Sequence, residues 1–125
     1  MRIKCGTDII EIDRIKESIE TLGDRFLKKV FTPNEIEYCE SKKAQKYQHY
    51  AARFAAKEAI FKAISESLDD KFALGWCDYE VLNDKTGKPT VKITGLDLNT
   101  IENIDLSISH CKQYAVATVV VVFRD

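Results

Sequence analysis

The sequence has no excess of either charge. Its 125 residues include 19 basic and 20 acidic side chains, which give a formal net charge of −1. A global attraction to nucleic acid or to a membrane surface is therefore not expected. A polyanionic ligand would have to be bound by a local cluster of basic residues.

Targeting segments and paired cysteine motifs are also missing. The N-terminus has no basic segment followed by an apolar stretch, and the apolar run Val119–Phe123 is far too short to span a bilayer. The cysteines, Cys5, Cys39, Cys77 and Cys111, include no Cys-x-x-Cys and have no histidine at zinc-finger spacing. We expect free thiols in the reducing cytoplasm, without a membrane partner.

Several common catalytic motifs are absent as well. The chain contains no Ser-His-Asp order, Walker loop or dinucleotide-binding glycine pattern. It also has no repeat, low-complexity stretch or linker. The hydrophobic content of 45% is ordinary for a globular chain. We therefore expect one domain over residues 1–125.

The first third of the chain is predicted to be a strand followed by two short helices. Ile3–Ile12 mixes β-branched and polar residues, and Gly6-Thr7-Asp8 is expected to interrupt it, which places Asp8 at a strand end or bend. Apolar residues recur at helical spacing over Asp13–Phe31, with a break predicted at Gly23-Asp24.

Two further helices are predicted next. Thr32 and Glu35 fit a capping box with proline at the first helical position, and this helix should end near Glu40. A long helix is expected near Gln45–Leu68.

The second half of the chain is predicted to consist of strands. Phe72–Leu82 and Thr90–Thr94 should form a hairpin with a polar tip, and Asp105–His110 and Tyr114–Phe123 a second, central hairpin. Leu96–Ile104 is read as a short helix or a loop. The predicted class is α+β, with a mainly antiparallel sheet packed on one long helix and several short helices.

The segment Arg53–Ala63 sets four charges among small and aromatic residues of the long helix. Glu58 and Lys62 are i, i+4 neighbours there, which as an ordinary surface pair would contribute only about 0.2–0.5 kcal/mol. A slim helix surface suggests instead that these charges lie beside buried surface and bind a ligand. The small residues are the alanines at 51, 52, 55, 56, 59 and 63.

Asp8 and Glu58 are the carboxylates that we expect to pair. Two oxygen ligands suit Mg²⁺, which usually takes one or two carboxylates together with substrate phosphates and waters. Asp8 as a turn or cap residue is an open alternative, and Glu11 and Asp13 are competing carboxylates.

Several basic and imidazole side chains could bind a phosphate. Lys57 and Lys62 could neutralise its charge or assist a leaving group, although both could equally be solvated. Gly87-Lys88-Pro89 could bring backbone and a lysine to an anion, or form an ordinary β-turn. His110 could donate to phosphate, or be a structural residue at a strand end.

Four segments together resemble a known family. They are similar to the short, trimeric type of 4′-phosphopantetheinyl transferase, the holo-(acyl carrier protein) synthases. The segments are Gly6–Ile15, Arg53–Ala63, Gly87-Lys88-Pro89 and Ser107–His110.

The resemblance implies a reaction and its catalytic residues. The reaction is transfer of 4′-phosphopantetheine from coenzyme A to a serine of apo acyl carrier protein, with release of adenosine 3′,5′-bisphosphate. It implies that Asp8 and Glu58 bind Mg²⁺, that Glu58 takes the serine proton directly or through water, and that Lys62 assists the leaving phosphate.

The resemblance also implies binding residues and a homotrimer with its sites between subunits. The acidic carrier would meet Arg14, Arg25 and Lys28. Glu17, Glu20 and Asp24 dilute this basic surface, and the patch of Lys42, Lys43 and Lys46 lacks the family's arginine, so a less bidentate grip on the 3′-phosphate is expected. The residues implied to line the coenzyme A site are Arg53, Lys57, Gly87, Lys88, Pro89, Ser109, His110 and Lys43.

Two other functions stay open at this point. A small binding domain could capture a nucleotide or an acidic protein through Arg14, Lys42, Lys43 and Lys88 without chemistry. A hydrolase could instead cleave a pyrophosphate without any carrier protein.

Overall fold

The computed structural model describes residues 1–68, 70 and 73–125, apart from the side chain of Leu98, and it has the predicted α+β fold. Short 3₁₀ turns occupy Lys43–Gln45, Ser65–Ser67, Trp76–Asp78 and Leu98–Thr100. The helices are α1 (Ile12–Leu22), α2 (Asp24–Val30), α3 (Pro33–Glu40) and α4 (Lys46–Ile64). The strands are β1 (Arg2–Glu11), β2 (Tyr79–Asn83), β3 (Pro89–Ile93), β4 (Ile101–His110) and β5 (Tyr114–Phe123).

A three-stranded antiparallel sheet carries α4 on one face. Its order is β1-β5-β4, and β2 pairs with β3 in a separate antiparallel hairpin. The two predicted hairpins are confirmed, with β5 at the centre of the larger sheet. Asp8 lies opposite Ala117, and Ala117 lies opposite Ile108, so these three side chains share the face that packs on α4.

The alanines of α4 let β1 approach the helix backbone closely. A Cβ atom built on Gly6 would lie only 1.9 Å from the carbonyl oxygen of Ala59. The predicted interruption at Gly6-Thr7-Asp8 is therefore wrong: β1 is continuous, and its glycine meets a steric requirement rather than forming a turn. Asp8 consequently lies inside the strand and not at its end.

The boundaries of the N-terminal helices follow the sequence signals. Gly23 separates α1 from α2 with φ of 60°. Thr32 caps α3 in the predicted capping box, because its hydroxyl accepts from the Glu35 amide while the Glu35 carboxylate accepts from the Thr32 amide. These predictions are confirmed.

Three boundaries differ from the prediction. The long helix ends at Ile64, before the 3₁₀ turn Ser65–Ser67. The strand expected from Phe72, a residue outside the described part, begins only at Tyr79, because the chain first makes the turn Trp76–Asp78. In contrast, β4 begins at Ile101, earlier than the predicted Asp105. A bulge between Ile101 and Asn103 shifts the register, and pairing with β5 continues past it to Phe123.

The face of the sheet opposite α4 is unusually apolar for an open surface. Ile3, Ile9 and Val120 are 62%, 63% and 40% exposed in the single chain. An antiparallel sheet with one solvated face normally alternates apolar and polar residues, with the polar ones outward. Thr7 and Thr118 provide the polar centre of this face, where their hydroxyl oxygens lie 3.2 Å apart.

All four cysteines are free thiols, as predicted. Within the described ranges, no helix has both the length and the apolar character needed to cross a membrane.

Replacing Gly6 by Ala should destabilise the fold by about 1–3 kcal/mol or more, because its Cβ atom cannot fit without moving the backbone of α4. Gly75→Ala is the matched control, since the nearest atom to a Cβ there is 3.9 Å away. Urea unfolding monitored by circular dichroism measures both variants. Equal midpoints for the two would contradict the steric explanation.

Candidate active site

Asp8, Glu58 and Lys62 meet where β1 crosses α4. The Lys62 ammonium lies 3.2 Å from Asp8 Oδ1 and donates to the carbonyl of Thr7 at 3.0 Å. Burial and the charge of Asp8 raise the pKa of Glu58, while Lys62 opposes that shift. Residues about fifty positions apart in sequence therefore form one electrostatic group.

This acidic pair suits a divalent cation with a phosphate ligand. Among the residues that the structure describes, no group of three or more His, Cys, Asp and Glu could hold a metal by itself. The charge of Asp8 contributes to the raised pKa of Glu58, and a cation between the two carboxylates would relieve that repulsion while phosphates and waters complete its coordination. The alternatives Glu11 and Asp13 are exposed and do not contribute to the pKa shift of Glu58.

An apolar pocket of about 260 Å³ opens beside Glu58. Its position next to a carboxylate with a raised pKa is typical of a ligand site. The pocket is lined by Lys57, Glu58, Phe61, Leu74, Gly75, Trp76 and Tyr79.

Lys57 points into the protein and not toward a free phosphate position. Its side chain has no exposure, and its ammonium contacts Glu35 Oε1 at 2.6 Å and the carbonyls of Tyr79 and Trp76 at 2.6 and 3.0 Å. Burial lowers the pKa of Lys57, and the Glu35 carboxylate opposes this shift. Since all three donors are engaged, the geometry gives Lys57 an internal role in place of the expected phosphate contact.

Arg53 lies one turn before Lys57, at the wall of a second pocket. Its guanidinium stacks 4.0 Å from the ring centre of Tyr38 and donates to Asn83 Oδ1 at 2.6 Å, whereas its buried Nε has no hydrogen-bond partner. Ser41 adds a hydroxyl to this pocket of about 400 Å³. The arrangement offers an aromatic ring, a cation and amides to a ligand.

His49, which no motif in the sequence indicated, connects this pocket with His110. The His49 ring lies edge-on to Tyr38 at 5.6 Å and to His110 at 5.8 Å. Burial, followed by the effect of His110 and of the nearby cations, lowers the pKa of His49. Its i, i+4 spacing to Arg53 could have identified it.

The hairpin tip has the features of an ordinary turn and is also tied to the second pocket. Asp84 Oδ1 accepts from the amides of Thr86 and Lys88, and Gly87 has φ of 89°. Asn83 bonds both the Gly87 carbonyl, at 3.0 Å, and Arg53. Pro89 begins β3 directly after the tip.

The other residues predicted to line the coenzyme A site do not lie together in the single chain. The Lys88 ammonium pairs with Asp105 at 2.9 Å. Ser109 and His110 point to opposite faces of β4, with Ser109 on the open apolar face opposite Val116. Lys43 is exposed with φ of 56°.

The predicted carrier contacts lie together on the N-terminal helices. Arg14 is exposed on α1, and Arg25 and Lys28 are exposed on α2. Arg14 borders a shallow groove with the acidic Glu17, so the basic surface is interrupted as the sequence indicates.

Comparison with known proteins establishes the family. Residues 4–119 match the profile of the 4′-phosphopantetheinyl transferase superfamily, and the chain belongs to this family of transferases. A holo-[acyl-carrier-protein] synthase of Ruminiclostridium cellulolyticum is 50% identical over 100% of this chain and 96% of its own length.

Solved structures agree with the assignment. The chain is similar to Helicobacter pylori holo-[acyl-carrier-protein] synthase in complex with coenzyme A, with a TM-score of 0.81, 28% identity and coverage of 94% and 99% of the two chains. It is also similar to the Bacillus anthracis holo-(acyl-carrier-protein) synthase in complex with CoA (3′,5′-ADP), with a TM-score of 0.75, 36% identity and 94% coverage of both.

Glu58→Gln should raise the thermal stability of the protein at pH 7 in the presence of a chelator. Because the folded-state pKa of Glu58 is raised, its ionisation costs stability as the pH rises above its usual value of 4.5, and glutamine removes that cost. The gain should shrink as the pH falls toward 4.5.

Thermal unfolding across this pH range tests the expectation. Glu66→Gln is the matched control, because that carboxylate is exposed and pairs with Lys4 at 3.0 Å on the surface. A Glu58→Gln variant less stable than the parent at pH 7 would refute the electrostatic account.

Proposed function

We propose that the chain transfers 4′-phosphopantetheine from coenzyme A to a serine hydroxyl of apo acyl carrier protein and releases adenosine 3′,5′-bisphosphate. The observation that carries the proposal is the group of Asp8, Glu58 and Lys62 beside an apolar pocket. The coenzyme A complexes of the Helicobacter pylori and Bacillus anthracis relatives support it.

In the proposed step the serine oxygen bonds to the phosphorus that carries pantetheine. The bond from that phosphorus to the bridging pyrophosphate oxygen breaks, and the bisphosphate leaves with the electron pair. Glu58 accepts the serine proton directly or through water, which its raised pKa favours. Lys62 stabilises the charge on the leaving phosphate.

Asp8 and Glu58 would hold Mg²⁺ in this reaction. The bound ion would neutralise charge on the pyrophosphate, as in other phosphoryl transfers. Lys62 already provides one positive charge at Asp8, at 3.2 Å, so the side chains present accommodate a cation.

The nucleotide end of coenzyme A is assigned to the second pocket and its surroundings. Arg53 presents a partly unsatisfied guanidinium there, and His110, which contacts His49, and Lys43 are assigned to the same end of the ligand. The turn at Gly87, Lys88 and Pro89 would close over the phosphates, with Lys88 exchanging Asp105 for a phosphate oxygen. Lys57 is assigned a structural role, because its ammonium is buried and paired with Glu35.

Carrier docking is assigned to α1 and α2. Arg14, Arg25 and Lys28 are exposed cations that would meet an acidic partner. Since Glu17 and Glu20 are exposed on the same helix as Arg14, we expect charge steering to be weaker than a purely basic surface would give. The reaction would take place in the cytoplasm.

The working assembly is proposed to be a homotrimer with sites between subunits. A patch of exposed apolar residues on an open sheet face is a typical interface between copies of a chain. Ile3, Ile9 and Val120 form that patch here. The opposite directions of Ser109 and His110 also fit a ligand that two copies share.

The transfer reaction should add phosphopantetheine to purified apo acyl carrier protein when coenzyme A and Mg²⁺ are present. Asp8→Asn and Glu58→Gln should each lower the rate by about 10²–10⁴-fold while keeping the circular dichroism spectrum. Mass spectrometry of the carrier measures the product, and Glu66→Gln is the carboxylate control that should retain activity.

Other outcomes distinguish the alternative functions. Coenzyme A binding without metal and without product would favour a binding domain. Release of the bisphosphate in the absence of carrier protein would favour a hydrolase. Full turnover in Asp8→Asn would contradict the assignment of the metal ligands.

Ile9→Glu should dissociate the trimer, because it places a charge on an apolar side chain that is 63% exposed in the single chain but buried in the proposed interface. Light scattering of the purified protein measures the mass. Leu22→Glu is the control, since Leu22 is an exposed apolar residue of α1 away from the sheet face. A monomeric parent would refute the trimer.

A further inference from the structure

Tyr38 of α3 lies at the centre of a basic cluster. Lys42 and Arg53 lie over its ring, at 4.8 and 4.0 Å from the ring centre. The His49 ring meets the Tyr38 ring edge-on at 5.6 Å, and the His110 ring meets that of His49 at 5.8 Å. Four basic side chains from α4, β4 and the turn after α3 therefore lie together.

The cluster has no carboxylate partner in the described part of the chain. None of its four basic side chains forms an ion pair there. Of the carboxylates of α3, Glu35 is paired in the interior and Glu40 binds the Lys46 ammonium, while Glu37 lines the second pocket. Positive groups that gather beside a cavity without negative partners favour the binding of an anion.

His49 is the member of the cluster whose charge depends most on its surroundings. Its ring is half-buried, whereas that of His110 is exposed. Burial lowers the pKa of His49 below its ordinary value of 6.5. The nearby charges of His110, Lys42 and Arg53 lower it further. His49 is therefore uncharged at pH 7 in the free protein.

A phosphate beside this cluster would act on His49 in the opposite direction. A phosphate monoester carries nearly two negative charges at pH 7, because its second pKa is about 6. An opposite charge within about 4–6 Å favours the charged form of a group strongly enough to move its pKa by about 1–3. The phosphate would thus offset the repulsion that the neighbouring cations exert on a protonated His49.

We propose that His49 takes up a proton from solvent when a phosphate monoester binds beside His110, so that ligands with such a phosphate bind more tightly as the pH falls. The inference rests on the proposed function, which assigns the nucleotide end of coenzyme A, with its 3′-phosphate, to this part of the chain. Dephospho-coenzyme A lacks only that phosphate and gains nothing from His49. His49 acts through the field around the phosphate and takes no part in the transfer.

The first test follows the titration of His49 and His110, the only two histidines in the chain, by NMR of their imidazole signals. The His49→Gln variant assigns the two signals. Coenzyme A should raise the titration midpoint of His49 by at least about one pH unit, and dephospho-coenzyme A should leave it unchanged. An unchanged midpoint with coenzyme A bound would overturn the proposal.

The second test measures Kd for both ligands between about pH 6 and 8, where proton uptake makes the affinity rise as the pH falls. In the native protein, the Kd of coenzyme A should increase with pH by about 3–10-fold more than that of dephospho-coenzyme A. His49→Gln should remove this excess, because glutamine cannot take up the proton. Protonation of the phosphate itself is the same in both proteins and cancels in the comparison.

Two further variants control for an effect on structure or on overall charge. His49→Lys carries a charge throughout this pH range, so it should bind coenzyme A tightly without the excess pH dependence. Lys4→Gln removes a cation that pairs with Glu66, at the end of the sheet away from His110, and should keep the native excess. An excess that persists in His49→Gln would overturn the proposal.

The outcomes separate this inference from the proposed function. Equal pH dependence for coenzyme A and dephospho-coenzyme A in the native protein would refute the role of His49 and leave the transferase unaffected. A protein that binds neither ligand would refute the proposed function. The phosphate site would then stand if inorganic phosphate raises the titration midpoint of His49, and fall if it does not. If His49→Gln does not fold, the native titration and the two native Kd profiles decide.

Discussion

The buried ion pair between Lys57 and Glu35 organises the rest of the structure. Both side chains are fully buried and their charged atoms lie 2.6 Å apart. Burial of two ions costs several kcal/mol for each, and the cost is offset only when their remaining hydrogen-bonding capacity is satisfied. Here the Glu35 oxygens also accept from the amides of Thr32 and Val81, and Lys57 also donates to two carbonyls.

This pair fixes the rotation of α4 and thereby divides its charged residues into two stripes. Arg53 and Lys57, one turn apart, face β2 and the interior, where Asn83 and Glu35 receive them. Glu58 and Lys62, also one turn apart, face β1 and Asp8. A single helical segment thus provides structural cations on one side and the proposed chemical groups on the other.

Local signals were sufficient where the structure depends on local chemistry. The capping box at Thr32, the break at Gly23 and the boundaries of β5 were all predicted from neighbouring residues. Gly6 was misread because its requirement comes from Ala59, more than fifty residues away. The same limit applies to Lys57: its spacing placed it correctly on the helix, but only the fold brings Glu35 to its ammonium.

The two charge clusters differ in how completely the chain satisfies them. Glu35 and Lys57 have partners for every charged atom, and this satisfaction explains why they can remain in the interior. Asp8 and Glu58 instead share one lysine between two carboxylates, and burial together with the charge of Asp8 raises the pKa of Glu58. Uncompensated negative charge beside a pocket favours ligand binding, because a cation that carries a phosphate would supply the positive charge that these two carboxylates lack. The buried pair of Lys57 and Glu35 holds α4 in the orientation that keeps Glu58 beside Asp8 at the surface.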